Sequence, residues 1–222
     1  MNAFLAIIKL DIMTAFRAGG SALLASIFFA LVILVFALAT GPDKSLMTQI
    51  AAPVLWTGAL LSTLVSFPSI FHRDYEDGAL DVLVETAEIL ELRFLAKAIA
   101  HWISTCLPLV LLSPLFGVML GLPTPAYGPL FASLLIGTPS LSLIGALSAA
   151  ITMSVRRATI LVSILSAPLF TPVIIFGASA SQAGISGAET ALPSFLFLAA
   201  TGLVSLIVAP LAGGAAIRAN LS

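Results

Sequence analysis

Residues 19–41 read GGSALLASIFFALVILVFALATG, an apolar run without a single charged side chain. A bilayer-spanning helix needs about 20 consecutive, mostly apolar residues, and this run is long enough. A second such stretch extends from Ser45 to Phe71. A third charge-free stretch, Ala98 to Val155, is too long for one crossing. It is interrupted by Leu122-Pro-Thr-Pro-Ala-Tyr-Gly-Pro129, whose turn formers would leave backbone polar groups unpaired in lipid. It therefore reads as two helices joined by a short turn. After Arg156 and Arg157, a fifth crossing covers Thr159 to Ala178, a small polar loop follows, and a sixth runs from Pro193 to about Ala216.

The expected fold is an all-α integral membrane protein, a single domain over residues 1–222 with six transmembrane helices. The spans are expected at about 20–40, 47–71, 99–121, 129–152, 159–178 and 193–216. Residues 1–18 are expected to form an N-terminal interfacial amphipathic helix, because Phe4, Leu5, Ile8, Ile12, Ala15 and Phe16 share one arc at helical spacing. Lys9 and Arg17 fall opposite that arc, and Asp11 sits at its edge. The N-terminus does not resemble a cleaved signal peptide, since Lys9 and Arg17 lie within it and the following apolar run is of membrane length.

Composition supports the same class. Hydrophobic residues make up 60% of the chain and charged residues 9%, against about 25% charged in soluble domains. Of nine lysines and arginines, Lys9, Arg17, Arg73, Arg93, Lys97, Arg156, Arg157 and Arg218 share one side, and Lys44 alone lies on the other. Six crossings and the positive-inside rule make the crowded side, with both termini, cytoplasmic. A net charge of −1 and the lack of a basic run give no support to nucleic-acid binding. The single cysteine, Cys106, excludes an internal disulfide and multi-cysteine metal motifs.

The inner connection from His72 to Lys97 holds most of the charge, with seven acids against three bases. Asp77 is placed to cap a short helix beginning at Gly78, with Leu80, Leu83 and Val84 on one face. Such a helix would lie along the cytoplasmic surface and offer its apolar face to a partner. A solvated acidic loop is the alternative.

A phosphate-cradling loop needs a lysine directly after a glycine. Here the lysines follow Ile8, Asp43 and Ala96. Any ATP used must belong to another subunit. No acid or base lies midway along a predicted span, which argues against a carboxylate relay and a secondary transporter. His101 is the weak haem-ligand candidate, or else a helix-end histidine near headgroups beside Trp102. No catalytic or metal residue is indicated. Pro108, Pro114, Pro139, Pro168, Pro172 and Pro210 lie within spans and tend to kink them. Together with many small residues they suit a bundle that rearranges, or simply reflect membrane-helix composition.

An interfacial helix, six spans, a long inner connection and no nucleotide loop together resemble the permeases of type-2 ABC exporters, and more narrowly the CcmB family of bacterial cytochrome c maturation. The resemblance covers essentially the whole chain. It rests on Gly41-Pro42, Ala52-Pro53-Val54-Leu55-Trp56, Phe71-His-Arg-Asp-Tyr-Glu-Asp-Gly-Ala-Leu80, Leu95-Ala-Lys-Ala-Ile-Ala-His-Trp102, Leu107 to Pro114, Leu135-Ile-Gly-Thr-Pro139 and Leu161 to Pro168. It implies two permease copies in a bacterial inner membrane, paired with a CcmA-like ATPase and assembled with CcmC, CcmD and the haem chaperone CcmE. It further implies that Arg73, Asp74, Glu76, Asp77, Gly78, Leu80 and Leu83 couple to the ATPase, with Arg156 and Arg157 as a second inner patch. ATP would reside in the partner, haem would be the system's substrate, and this chain would bind no cofactor. One departure is that similar proteins carry prolines where this chain reads Val84-Glu-Thr-Ala-Glu-Ile-Leu-Glu91. A tryptophan-rich haem-handling motif is lacking, with only Trp56 and Trp102 available. Two other functions fit the same architecture: a static scaffold holding the ATPase near CcmC, and a type-2 permease for another amphiphile such as a lipid or drug.

Overall fold

The computed structural model describes residues 2–17, 20–76, 89–155, 158–186 and 191–221. Among them the regular structure is helical. The helices are α1 (Asn2–Phe16), α2 (Ser21–Thr40), α3 (Lys44–Ser66), α4 (Ser69–Glu76), α5 (Leu90–His101), α6 (Leu107–Met119), α7 (Tyr127–Thr152), α8 (Ala158–Ser186) and α9 (Ala191–Leu221). A π-helical segment, Trp102–Cys106, joins α5 to α6, and a 3₁₀ turn, Thr124–Ala126, precedes α7. Six segments are long and apolar enough to cross a membrane: Ser21–Thr40, Lys44–Phe71, Leu90–Met119, Thr124–Thr152, Ile160–Ala183 and Ala191–Asn220.

The turns follow from local chemistry. Gly41 adopts a φ of 68° to end α2, Pro42 prevents the helix from continuing, and Asp43 caps α3 by accepting from Leu46 N–H at 3.1 Å. Gly121, also at a φ of 68°, ends α6 while Leu122 N–H donates to the Gly117 carbonyl at 2.9 Å. Thr48 donates its hydroxyl proton to the Gly121 carbonyl at 3.0 Å, tying this turn to the start of α3. Pro129 sits in the first turn of α7, where a missing N–H costs no helical bond.

The helix leading into the third span starts at Leu90, well before the position near 99 expected from charge, and Arg93 and Lys97 lie on it. Charged residues can be helical where they remain at the bundle's polar end, so hydropathy alone does not mark the helix start. α4 likewise carries the helical chain beyond the second span, as far as Glu76. Pro108 has a physical counterpart in the backbone: Leu107 N–H reaches the Trp102 carbonyl, a wider turn just ahead of the residue that cannot donate.

Trp56 has no exposed surface and is held between α7 and α8. A Cβ on Gly137 or Gly177 would collide with its indole, and one on Gly145 would collide with Phe67. The absence of these side chains lets the helices approach closely. Exposed leucines, isoleucines and valines cover α2, α8 and α9, as lipid contact requires.

Candidate functional site

Lys97 brings together three elements that sequence spacing kept apart. Its side chain is 7% exposed, and all three ammonium donors have acceptors. They reach Asp74 Oδ2 on α4 at 2.6 Å, Asp11 Oδ2 on α1 at 3.2 Å and the Ile70 carbonyl at 3.3 Å. The ammonium also lies 5.7 Å from the centre of the Phe71 ring, within cation–π range. The carboxylates are 27% and 30% exposed. Burial holds the Asp11 carboxyl above its ordinary value, Lys97 pulls it back only in part, and Asp74 adds repulsion. Two acids therefore face one base where α1, α4 and α5 meet.

Neither Asp11 nor Lys97 was singled out as a site residue from sequence. The available signal was Asp11's misfit at the edge of the α1 apolar arc. In the structure Asp11 turns toward α5, while Leu5, Leu10, Met13 and Phe16 are exposed alongside Lys9 and Arg17. The apolar surface of α1 is thus broader and less one-sided than the predicted arc.

Four residues beyond Lys97, His101 is buried. Its Nε2 lies 2.8 Å from Ser66 Oγ and its Nδ1 lies 3.0 Å from Ser142 Oγ. With Ser66 donating to the Thr63 carbonyl at 2.8 Å, its oxygen is free to accept from His101 Nε2–H. Nδ1 then accepts from Ser142, whose oxygen can accept from the Cys106 thiol at 3.2 Å. This directed chain uses both nitrogens of a neutral imidazole. Iron ligation through Nδ1 would require Ser142 to leave. Trp102 donates inward to Thr138 Oγ1 at 3.0 Å, and Trp56 donates to Ser181 Oγ at 2.9 Å, so both indoles are tied into the bundle.

Of the sequence-predicted coupling residues, Asp74 is engaged by Lys97. Arg73 and Glu76 lie on α4. Asp77, Gly78, Leu80 and Leu83 fall outside the described residues, as do Arg156 and Arg157. At the other arm of the same connection, Glu91 lies 3.7 Å from Arg218 at the end of α9. Both arms of the inner connection are thus ion-paired to other helices.

The sequence matches the family described as CcmB protein over residues 2–220. The chain belongs to the CcmB family. Among its relatives is "Heme exporter protein B" of Paracoccus denitrificans (strain Pd 1222), 47% identical over 211 residues, covering 95% of this chain and 96% of the relative. The protein of that name from Bradyrhizobium diazoefficiens is 40% identical over the full length of both chains. That from Escherichia coli (strain K12) is 36% identical, covering 98% and 99%. In CcmB terms, Lys97 and Asp74 stand at the two ends of the inner connection, and Asp11 joins them to the N-terminal helix.

Proposed function

We propose that this chain is the permease subunit of an ATP-driven haem exporter, a transporter subunit with no catalytic step of its own. The full-length similarity to relatives named haem exporter protein B carries this reading. With no glycine-preceded lysine to cradle phosphate, ATP belongs to a CcmA-like partner that docks on the inner connection. In this reading the chain resides in the bacterial inner membrane, and the eight-to-one basic asymmetry supports cytoplasmic termini. Two copies would assemble with the ATPase, CcmC and CcmD and serve the chaperone CcmE.

The clamp gives this coupling a physical route. A displacement of the inner connection moves Asp74 and Lys97, and through them α1 and α5, because a nearly buried lysine cannot leave its carboxylates without a large electrostatic penalty. ATP binding in the partner can then select between two bundle arrangements through different contacts in each. The inner cavity beside Lys97 is lined by two acids and one base, and that base is saturated. Haem propionates would find no free ammonium donor on Lys97. This favours ATP-driven release of haem-loaded CcmE over passage of haem by that cavity.

The docking test spares Asp74, which holds Lys97. Glu76→Gln with Asp77→Asn should sharply reduce co-purification of the ATPase or its stimulated turnover while the permease still accumulates in the membrane. Unchanged association and turnover would remove the inner connection from the docking surface.

A further inference from the structure

A cavity of about 340 Å³ opens beside the clamp, between α1, the start of α2, α4 and α5. That volume is at the lower end of the roughly 300–1,000 Å³ typical of ligand sites. Lys97, Ala100, His101 and Ser104 form one face of it, an i, i+3, i+4, i+7 stripe running about 10 Å along the helix. Asp11 and Asp74 flank its charged end, and Ser21 lies at the first turn of α2.

Three features define what fits. First, the titratable groups facing the cavity are Asp11, Asp74, Lys97 and His101, and the ammonium of Lys97 has no donor left for an anion. The lining therefore carries one more acid than ammonium, with both carboxylates part-exposed. Second, Arg17 follows Leu10 and Thr14 on one face of α1 by helical spacing, its N–H still bonded to the Met13 carbonyl at 3.2 Å, and its side chain is exposed. Third, Leu10 lines the cavity while 62% exposed, and Leu24 at the start of α2 is 52% exposed, so an apolar surface leads away from the mouth.

We propose that this cavity binds the headgroup of an ethanolamine phospholipid, its ammonium on Asp11 and Asp74, its phosphate by Arg17 and Ser21, and its chains along Leu10 and Leu24. A primary ammonium supplies both a positive charge and N–H donors for the carboxylates. A trimethylated ammonium has the charge without the donors, and a glycerol headgroup has neither.

Native mass spectrometry of the full chain, purified in the presence of palmitoyl-oleoyl phosphatidylethanolamine, phosphatidylcholine or phosphatidylglycerol, tests the assignment. One ethanolamine lipid per chain should survive delipidation, with the other two retained about tenfold less, the size of one charged hydrogen bond lost. Asp11→Asn, which keeps the cavity's shape, should erase the preference. Ala100→Leu, which narrows the cavity without altering charge, should lower retention. Equal retention of the three lipids, or a preference for phosphatidylglycerol, overturns the proposal. So does displacement of the lipid by an equal concentration of soluble O-phosphoethanolamine, which would make the site one for a free amine. An unchanged preference in Asp11→Asn overturns it even if Ala100→Leu fails to accumulate.

Discussion

The bundle is held by different means around Trp56 and around Lys97. Around Trp56, three helices meet because Gly137 and Gly177 leave room for an indole, and a single hydrogen bond to Ser181 fixes its orientation. Around Lys97, three segments meet because two carboxylates and a carbonyl surround one ammonium. Packing of the first kind has no low-energy alternative nearby, since any shift opens a void or a clash. The ion cluster instead keeps its partners and moves with the segments that carry them, because its lysine is nearly buried while its carboxylates reach solvent. Rigidity therefore belongs to the Trp56 socket, and responsiveness to the end of the bundle that carries Lys97.

The largest expected effect comes from filling the tryptophan socket. In Gly177→Leu, four carbons must occupy space where even the first collides with the indole, and the cost should be at least about 3 kcal/mol. The variant should fail to accumulate, or show a strongly lowered thermal midpoint in detergent. Near-normal accumulation would mean that the socket is not rigid.

Lys97→Met should cost somewhat less, about 2–3 kcal/mol, because the two acids left without a counter-charge are partly exposed and water offsets some of their repulsion. The thermal midpoint of the detergent-solubilised variant reads this directly.

The smallest effect is expected from Asp11→Asn, and its signature is pH dependence. Because the folded-state carboxyl titrates above its ordinary value of 3.8, the folded chain binds this proton more readily than the unfolded one. Asp11 is therefore least unfavourable at low pH and becomes a net cost as pH rises through the ordinary value and then the raised one. Wild type should lose stability across that interval relative to Asp11→Asn, whose profile should be flatter. Parallel profiles would mean that Asp11 is not perturbed by burial.

Much of the rigid half was legible in the sequence. Charge-free runs of bilayer length gave six crossings, and Gly41-Pro42 and the cluster at 122–129 marked where the chain turns. Trp56 stood out as one of two tryptophans, but nothing local reveals that Gly137 and Gly177 face it, because those contacts join segments far apart in the chain. The responsive half was harder to read. Lys97 and Asp11 are 86 positions apart, and hydropathy treats each only as a charge at the edge of an apolar run. His101 illustrates the same limit, since its neighbours in sequence suggest a headgroup environment while its partners, Ser66 and Ser142, arrive from two other helices.

Transmission of the partner's ATP cycle to the bundle through the Lys97 clamp is tested by purifying Lys97→Met with its ATPase and measuring, in the same strain, assembled complex, ATP turnover and cytochrome c maturation. The complex present should still hydrolyse ATP, while maturation per assembled complex falls at least about tenfold, a loss of about 1.4 kcal/mol or more of coupling. Maturation at the wild-type level per assembled complex would contradict it.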